Sequence, residues 1–345
     1  MKTHAIIPVF IPHAGCPHQC VFCNQNEITA RITIPSVADA ERTIQTHLET
    51  IRRNPSIRTV EIAFYGGSFT AIPPDRQRLY LELAEKYKRS GLIDRIRLST
   101  RPDSIDDEIL DRLAEYGTDV IELGVQSFDE EVLRKSARGH DASVVFHSAE
   151  RIHRYGFILG IQLMTGLPGD SYEKCMYSVE QTIKAAPAIA RIYPTVVIRN
   201  TALFEMYQKG EYNPPDLSET LETVKDMYLR LTRAGIQVIR IGLKSTDLIR
   251  TEDGSVVGGY HPAIRQMVDS QIAREELEAQ LNGQNEGRVV FESNPCSFSN
   301  MTGHQKMNRL YFAEKYPELI IRYKADDSLQ PLQYRVRRIS PEGQW

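Results

Sequence analysis

The chain has 345 residues, of which 41% are hydrophobic and 25% are charged, and its formal net charge is −3. These values are typical of a soluble globular protein with one large domain, and they exclude any whole-chain argument for nucleic-acid binding. No apolar run approaches the roughly 20 residues that span a bilayer, and the N-terminus makes a poor signal peptide. We therefore expect a cytoplasmic protein with no membrane partner, in a reducing compartment that keeps thiols free.

Apolar, β-rich runs alternate with amphipathic helical patterns up to about residue 242. The predicted strands lie at 5–11, 59–64, 95–99, 119–125, 157–164, 192–198 and 236–241. The predicted helices lie at about 36–53, 75–90, 104–116, 129–137, 142–155, 171–186 and 217–234. Several begin with a capping residue, at Ser36, Asp75, Ser104, Asp129, Ser171 and Ser218. Repeated strand–helix units predict an α/β fold, a partial barrel of about six units whose reactive groups follow the C-terminal ends of parallel strands.

The pattern changes after residue 242, so we predict a barrel domain at 1–242 and a small C-terminal α+β extension at 243–345. Within the extension, 243–262 is predicted to be a loop, 263–281 a charged amphipathic helix and 288–293 a strand. Between residues 303 and 340, eight Lys and Arg side chains outnumber four Asp and Glu side chains. Such a surplus is compatible with a solvated surface and with a patch for polyanions such as RNA.

The cysteine loop, which we define as the run GCPHQCVFCN at 15–24, follows the first predicted strand. It carries Cys16, Cys20 and Cys23 at the spacing C-x3-C-x2-C. Three thiolates on one short loop can hold three irons of a [4Fe–4S] cluster and leave the fourth iron without a protein ligand. An ordinary electron-transfer cluster is usually closed by four cysteines instead.

Other interpretations of the cysteine loop remain open at this point. A zinc site needs a fourth ligand, for which His13, His18 and Cys175 are available. A chance match is the third possibility. Disulfides are not expected, because five cysteines are an odd number and a chain of this length builds a core without them.

The spacing, together with the aromatic Phe22 before the third cysteine, resembles the radical S-adenosylmethionine (radical SAM) superfamily. The resemblance implies that Cys16, Cys20 and Cys23 bind a [4Fe–4S] cluster whose open iron binds S-adenosylmethionine. It implies further that Phe22 packs on the adenine of that cofactor. The reduced cluster would then cleave the cofactor to methionine and a 5′-deoxyadenosyl radical, which abstracts hydrogen from a substrate.

The family's cofactor-binding residues have counterparts at the ends of the second and fourth strands. Gly66 and Gly67 match the glycine pair that binds the methionine amino group, and Ser68 replaces a residue that is often acidic or threonine. Gln126 and Arg138 match a glutamine and an arginine that contact the cofactor. The resemblance assigns the arginine to the cofactor carboxylate, which suits its bidentate geometry.

Two further cofactor positions differ from the family pattern. Ser99, at the end of the third strand, replaces what is often a glutamate. Gln162, on the fifth strand, stands where coproporphyrinogen-oxidase relatives have an aspartate that holds ribose hydroxyls. We keep both residues in the predicted cofactor site, with the amide of Gln162 in place of the carboxylate.

Several segments resemble the radical SAM domain of the Elongator catalytic subunit, over roughly residues 5–300. They are GGSFTAIP at 66–73, TRPD at 100–103, ELGVQS at 122–127, RGH at 138–140 and RIYPTVVIRNT at 191–201. The short cysteine spacing and the GLPG turn at 166–169 look more like oxygen-independent coproporphyrinogen-oxidase relatives. The expected protein is therefore a short Elongator-like member without the acetyltransferase domain.

This resemblance implies tRNA or another RNA as substrate, and an electron donor such as ferredoxin or flavodoxin. Two alternatives stay open: radical oxidation or decarboxylation of a porphyrin-like carboxylate, and a non-catalytic carrier of a metal cluster. Tyr193, Tyr260 and His261 are compatible with a proton or electron relay and also with structural roles. Cys296 is either a packing thiol or a second, substrate-linked thiol.

Overall fold

The structure, a computed structural model, describes residues 3–11, 16, 18–24, 34–243 and 256–339. The chain divides into two compact units, Met1–Tyr260 and His261–Trp345. Most of the predicted loop at 243–262, and the candidate ligand His13, lie outside the described residues. Within the described residues, no helix combines the length and the apolar character needed to cross a membrane.

The first unit is built on a parallel sheet of seven strands, one for each strand predicted from the sequence. The strand order is β1-β2-β3-β4-β5-β6-β8, which is the chain order apart from the short strand β7. The seven strands are β1 (His4–Ile11), β2 (Thr59–Gly66), β3 (Arg95–Thr100), β4 (Val120–Gln126), β5 (Ile158–Thr165), β6 (Ile189–Pro194) and β8 (Gln237–Ile241). The sheet curls into a half-barrel with β1 and β8 at its two ends, as the alternation of strands and helices predicted.

Eight helices connect and cover these strands. They are α1 (Val37–Arg52), α2 (Pro74–Arg89), α3 (Asp107–Glu115), α4 (Glu130–Lys135), α5 (Ala142–Arg154), α6 (Tyr172–Lys184), α7 (Ala202–Gln208) and α8 (Leu217–Arg233). All but α7 were predicted. Along β1, Ala5, Ile7, Val9 and Ile11 are buried, whereas the residues between them are half-buried. This alternation gives the sheet an apolar outer face under the helices and an inner face that lines the lumen.

The sixth predicted strand, at 192–198, is wrong in its extent. β6 ends at Pro194, and β7 (Val197–Ile198) is a separate strand that pairs antiparallel with β9 (Val256–Val257). Proline has no backbone N–H to donate to a ladder, so it ends the parallel pairing there. β9 also falls inside the segment that was predicted to be only loop.

Three of the predicted helix caps are confirmed, namely Ser36, Asp129 and Ser171. Three are wrong by two residues, because Pro73, Asp106 and Asp216 precede the helices where Asp75, Ser104 and Ser218 were expected. Asp216 forms a reciprocal capping box with Glu219, which satisfies two orphan N–H groups at once and fixes the start of α8.

The second unit packs helices on one face of a three-stranded sheet. Its strands are β10 (Gly287–Ser293), β11 (Leu319–Ala325) and β12 (Tyr334–Ile339), in the order β11-β10-β12. Its helices are α9 (Ile264–Leu281), α10 (Phe298–Thr302) and α11 (Met307–Lys315). The predicted helix at 263–281 and strand at 288–293 are thus confirmed. Phe291 and Phe312 meet edge to face at 4.9 Å in the centre of this unit's core.

Candidate active site

The cysteine loop is fastened to two neighbouring segments of the half-barrel. The N–H of Val21 donates to the carbonyl of Ser136, just after α4, at 3.2 Å. The carbonyl of Val21 accepts the N–H of Leu203, at the start of α7, at 2.8 Å. Cys23 N–H donates to Cys20 O at 3.1 Å and turns the loop back on itself. The loop therefore sits beside the C-terminal end of β4, where a barrel carries its chemistry.

The three thiols of this loop differ in exposure. Cys20 is buried, Cys23 is half-buried and Cys16 is exposed. In the part of the chain that the structure describes, no three His, Cys, Asp or Glu side chains are grouped as metal ligands. Cys175, one candidate for a fourth zinc ligand, lies on α6 and donates to Asp170 Oδ2 at 3.1 Å.

Two buried arginines stand against the thiols. Arg138 Nη1 donates to Cys20 Sγ at 3.0 Å, and its Nη2 donates to the carbonyl of Gly124 at the end of β4. Arg101 forms a two-pronged ion pair with Asp103, with both distances 2.8 Å, and donates to the carbonyl of Arg138. Each guanidinium is thus fixed in position by groups other than the thiols.

Each of these arginines has one side-chain nitrogen that pairs with no described residue. Arg138 Nε and Arg101 Nη1 are buried, and neither has a hydrogen-bond partner among the described residues. Buried N–H groups are nearly always paired, because an unpaired one costs about 1–3 kcal/mol. The two nitrogens therefore fit an anionic group bound beside the thiols. Thiols that can bind a soft metal and guanidiniums that can bind an anion lie side by side here.

The same cations act on the thiol of Cys16. Partial burial of its sulfur raises the pKa of Cys16, while the backbone N–H of Ser68 and the charges of Arg101 and Arg138 pull that pKa down. The pKa of Cys16 is raised on balance, so these groups offset only part of the cost of forming the thiolate that a metal requires.

The glycine pair lies directly beside the start of the cysteine loop. Gly66 has a φ of +115°, and a Cβ there would fall 2.6 Å from the carbonyl oxygen of Ile11. Gly67 N–H donates to that same oxygen at 2.9 Å. Only glycine allows β2 to end this close to β1. Ser68 is buried and shares a 2.8 Å hydrogen bond with Thr100 at the end of β3, so its side chain fixes the turn.

Gln126 and Gln162 are neighbours on the inner face. Gln126 has a φ of +74° at a bulge where the β4–β5 register shifts, and it is buried. Gln162 Nε2 donates to Gln126 Oε1 at 3.0 Å. A glutamine rarely adopts the left-handed conformation, and such residues concentrate at functional sites. The half-buried Ser99 has no recorded side-chain hydrogen bond within the described part of the chain.

Phe22 lies on the other side of the loop from these groups. Its ring packs against an apolar cluster formed by Val197, Leu203 and Tyr212, and it is half-buried there. The side chain thus helps to seat the cysteine loop on α7, and part of its surface stays accessible.

The lumen below this end holds a buried ionic network that the sequence analysis missed. We call Glu61, Arg97, Glu122 and Arg191 the lumen network. Arg97 donates to Glu61 and to Glu122, both at 2.6 Å, and Arg191 forms an ion pair with Glu122. All four residues are 9% exposed or less. Two carboxylates and two guanidiniums make the network neutral overall.

The upper edge of the lumen network carries two tyrosines. Arg191 donates to the hydroxyls of Tyr65 and Tyr193, the latter at 3.2 Å, and its guanidinium lies 5.0 Å from the centre of the Tyr65 ring. Burial and the charge of Glu122 raise the pKa of Tyr65 well above its usual range. Tyr65 is therefore held as a neutral hydroxyl on the lumen wall.

A sequence signal for this network did exist. Charged residues interrupt otherwise apolar strands at Glu61, Arg97, Glu122 and Arg191. Gly160 on β5 lies opposite Glu122, and a Cβ there would fall 2.9 Å from Glu122 Cγ. Isolated charges at the centres of buried strands, with a glycine beside one of them, indicate paired side chains inside a barrel.

Three candidates remain, and the structure places each in its own surroundings. Tyr260 is buried against Val196 and Ile198 in the first unit. His261 belongs to the second unit, where its ring meets His304 at 5.1 Å. Cys296, also in the second unit, is exposed in a short turn after β10.

Comparison with known proteins gives consistent matches. Residues 10–181 match the family model of the radical SAM superfamily, and residues 187–274 match that of the radical SAM C-terminal domain. A protein of Methanocaldococcus jannaschii without an assigned function is 31% identical over 236 residues, which are 66% of this chain and 71% of that protein.

Two relatives have assigned functions. A tRNA uridine(34) acetyltransferase of Methanocaldococcus infernus is 25% identical over 64% of this chain and 48% of its own length. The heme chaperone HemW of Bacillus subtilis is 25% identical over 66% of this chain and 60% of its own length. The chain thus spans about half of the acetyltransferase and about three fifths of the chaperone.

A solved structure has the same fold. The Elp3 protein of Methanocaldococcus infernus, determined with an N-terminal deletion, superimposes with a TM-score of 0.63 at 21% identity. The match covers 80% of this chain and 64% of that one. At this identity the likeness concerns the fold alone, and it agrees with the predicted partial barrel and C-terminal extension.

Proposed function

Because the chain belongs to the radical SAM superfamily, we propose that it cleaves S-adenosylmethionine reductively beside the cysteine loop and acts on a transfer RNA. The observation that carries the first part is the contact between Arg138 and Cys20, at 3.0 Å, with Arg138 Nε buried and unpaired among the described residues. One side chain thus joins a metal-binding thiol to a free donor for an anion.

The residues present fit a [4Fe–4S] cluster. Cys16, Cys20 and Cys23 would hold three irons, and Arg138 and Arg101 would offset part of the negative charge of the thiolates. When bound, the cluster supplies the single electron that breaks the carbon–sulfur bond of S-adenosylmethionine. A small iron–sulfur or flavin protein such as ferredoxin or flavodoxin would reduce it, in a reducing cytoplasm.

The neighbouring side chains would bind S-adenosylmethionine. Arg138 takes its carboxylate, as the unpaired nitrogen and the family resemblance both suggest. The backbone of the glycine pair Gly66-Gly67 would contact its amino group, as the family resemblance implies, with Ser68 and Ser99 at the adjoining strand ends. Gln162, which donates to Gln126, offers its amide to the ribose, and Gln126 contacts the cofactor beside it. The accessible part of Phe22 is left for the adenine.

The lumen network would form the floor of the site. Its carboxylates and guanidiniums pair with one another, and at its edge the hydroxyls of Tyr65 and Tyr193 accept hydrogen bonds from Arg191. Such a floor keeps bulk water away from the reacting atoms and orients a substrate by hydrogen bonds.

The similarity to a tRNA uridine(34) acetyltransferase supports transfer RNA as the substrate. The similarity to a heme chaperone supports the second candidate, a porphyrin-like carboxylate that is bound or modified. Since this chain spans only part of both relatives, their activities indicate which classes of substrate should be tested.

The test is an anaerobic assay of the reconstituted protein with dithionite and S-adenosylmethionine, with 5′-deoxyadenosine as the readout. Three arms receive bulk transfer RNA, a tetracarboxylate porphyrinogen or no addition. We expect 5′-deoxyadenosine in all arms and the strongest stimulation by transfer RNA. Stimulation by the porphyrinogen alone would overturn the RNA assignment, and a four-iron protein that forms no 5′-deoxyadenosine in any arm would be a cluster carrier.

A further inference from the structure

The sheet of the second unit has one face covered by helices and one face lined with cations. Val289, Phe291, Leu319 and Tyr334 pack in the core of the unit, together with Ile321, Tyr323 and Val336. Because side chains alternate along a strand, the residues between them point to the opposite face. We call the cations found there the basic sheet face: Arg288, Arg322, Lys324, Arg335 and Arg337.

Strand pairing places these cations in ordered rows. Val290 is paired with Arg322 on one side and with Arg337 on the other. Glu292 is paired in the same way with Lys324 and Arg335. From ordinary sheet dimensions, cations in one row stand about 10 Å apart and successive rows about 7 Å apart. The four outer cations therefore frame the central strand on both sides.

One buried carboxylate holds half of this frame in place. Glu292 is 3% exposed and accepts hydrogen bonds from Arg335 Nε at 2.8 Å and from Arg337 Nε at 3.1 Å. The two guanidiniums are thereby fixed while their side chains stay 44% and 45% exposed. A fixed arginine loses little entropy when it binds a second anion.

The other half of the frame carries charge that no described residue of the second unit pairs with. Arg322 and Lys324 are exposed, and no ion pair or hydrogen bond of either side chain is recorded within residues 256–339. Asp326, just after β11, also pairs with Arg335. Other cations of the same region are already engaged. Lys315 pairs with Glu278, and Arg338 donates to Gln284.

We propose that the basic sheet face binds the phosphate backbone of the RNA substrate. This rests on the proposed function, and it adds the surface that would hold the RNA. Five cations on a regular lattice, with Glu292 and Asp326 as carboxylate partners, suit repeated phosphates, and four of the five are arginines, whose planar fork matches phosphate oxygens. A face that binds a membrane usually has exposed aromatic or leucine side chains among its cations. This face has apolar side chains, Ile320 and Ile339, at one end only, which favours RNA over a membrane.

The test uses the full chain and the pair of substitutions Arg322→Gln and Lys324→Gln. Neither residue supports Glu292, so the fold is left intact, whereas loss of Arg335 or Arg337 would leave that carboxylate poorly paired. Bulk transfer RNA is titrated by fluorescence anisotropy at several salt concentrations. Each lost phosphate contact removes about 0.7 from the slope of log K against log salt. We expect binding about 25-fold weaker at 0.1 M salt and a slope reduced by about 1.4.

The matched control is Arg52→Gln with Arg53→Gln, two exposed cations at the end of α1 whose loss changes the net charge equally. We expect it to bind transfer RNA as the parent does. Equal losses in both variants, or none in the first, would overturn the proposal. So would a first variant that loses binding to phosphatidylserine vesicles or to a polyglutamate peptide while keeping transfer RNA.

The formation of 5′-deoxyadenosine without RNA, measured on the same samples, separates this proposal from the proposed function. An Arg322→Gln, Lys324→Gln variant with unchanged RNA binding and full RNA stimulation would overturn only the basic sheet face. A parent protein that binds RNA through the face and forms no 5′-deoxyadenosine would overturn only the radical chemistry.

Discussion

Two pairs of buried arginines stand at different depths of the half-barrel, and their partners differ. Arg97 and Arg191, in the lumen network, are matched by the carboxylates of Glu61 and Glu122. Arg101 and Arg138, beside the cysteine loop, share Asp103, backbone carbonyls and a thiol, and each keeps one buried nitrogen without a partner among the described residues.

This difference indicates that the lumen network stabilises the fold, whereas the arginines beside the cysteine loop belong to a binding site. Each guanidinium of the lumen network has a carboxylate partner, and Glu61 pairs further with Arg95 at 3.7 Å, so removal of a member is felt as lost stability. A buried guanidinium with an unpaired N–H group is destabilising unless a bound ligand accepts a hydrogen bond from that group. The comparison therefore predicts stability effects in the lumen and binding effects at the loop.

The largest effect is expected from Glu122→Ala. It leaves the buried Arg191 without a carboxylate and removes one of the two carboxylates that pair with Arg97, so the free energy of unfolding should fall by about 3–5 kcal/mol. Urea denaturation measures this loss. Glu108→Ala is the control, since Glu108 pairs with Arg112 but its side chain is 85% exposed, and such a pair is worth about 1 kcal/mol at most. Equal losses in the two variants would contradict the structural role of the lumen network.

Arg138→Ala should act on the cofactor instead. The loss of a charge-assisted hydrogen bond to the cofactor carboxylate costs about 1.5–3 kcal/mol, so S-adenosylmethionine should bind about 10- to 100-fold more weakly to the reconstituted protein. Calorimetry on samples of equal iron content measures the change. Arg134→Ala, an exposed arginine at the end of α4, should leave the affinity unchanged. The assignment fails if Arg138→Ala binds the cofactor normally.

Gly160→Ala should destabilise the protein, because the added methyl group would crowd the side chain of Glu122. The new Cβ would fall 2.9 Å from Glu122 Cγ and from Ile189 Cγ1, and overpacking of this kind costs about 1–3 kcal/mol. Thermal denaturation gives the value. In a Glu122→Ala background the same substitution should cost less, because one of the two clashing atoms is gone. If Gly160→Ala lowered stability equally in both backgrounds, the Glu122 side chain would not be what requires glycine at position 160.

The smallest effect is expected at Gln162. Gln162→Ala removes the hydrogen bond that holds Gln126, and one neutral hydrogen bond is worth about 0.5–1.5 kcal/mol, so cofactor affinity should fall about 2- to 10-fold. Met164→Leu, two residues further along the same face of β5, is the control and should bind the cofactor as the parent does. A loss of the same size in both variants would argue against a specific role for the glutamine pair.

Much of the first unit was predictable from the sequence. All seven strands and the radical SAM family were predicted correctly, because strand–helix alternation and the cysteine spacing are local signals. The end of β6 at Pro194 and the capping residue Asp216 were missed. In each case two residues close together in the sequence could end the strand or cap the helix, and the sequence alone does not show which one does.

The pairing of distant charges was not predictable in the same way. Glu61, Arg97, Glu122 and Arg191 come from four strands, and only the register brings them together. Likewise, the eight cations counted at 303–340 form no single patch. Strand alternation places four of them on the basic sheet face, and others pair elsewhere. The assigned roles of the cofactor residues remain predictions.

The most direct test of the central claim is electron paramagnetic resonance of the reconstituted, dithionite-reduced protein with and without S-adenosylmethionine. The account predicts a [4Fe–4S] signal that changes on addition of the cofactor, because one iron has no protein ligand, and no such signal from Cys20→Ala. A four-iron signal that ignores S-adenosylmethionine, or an unaltered cluster in Cys20→Ala, would contradict it.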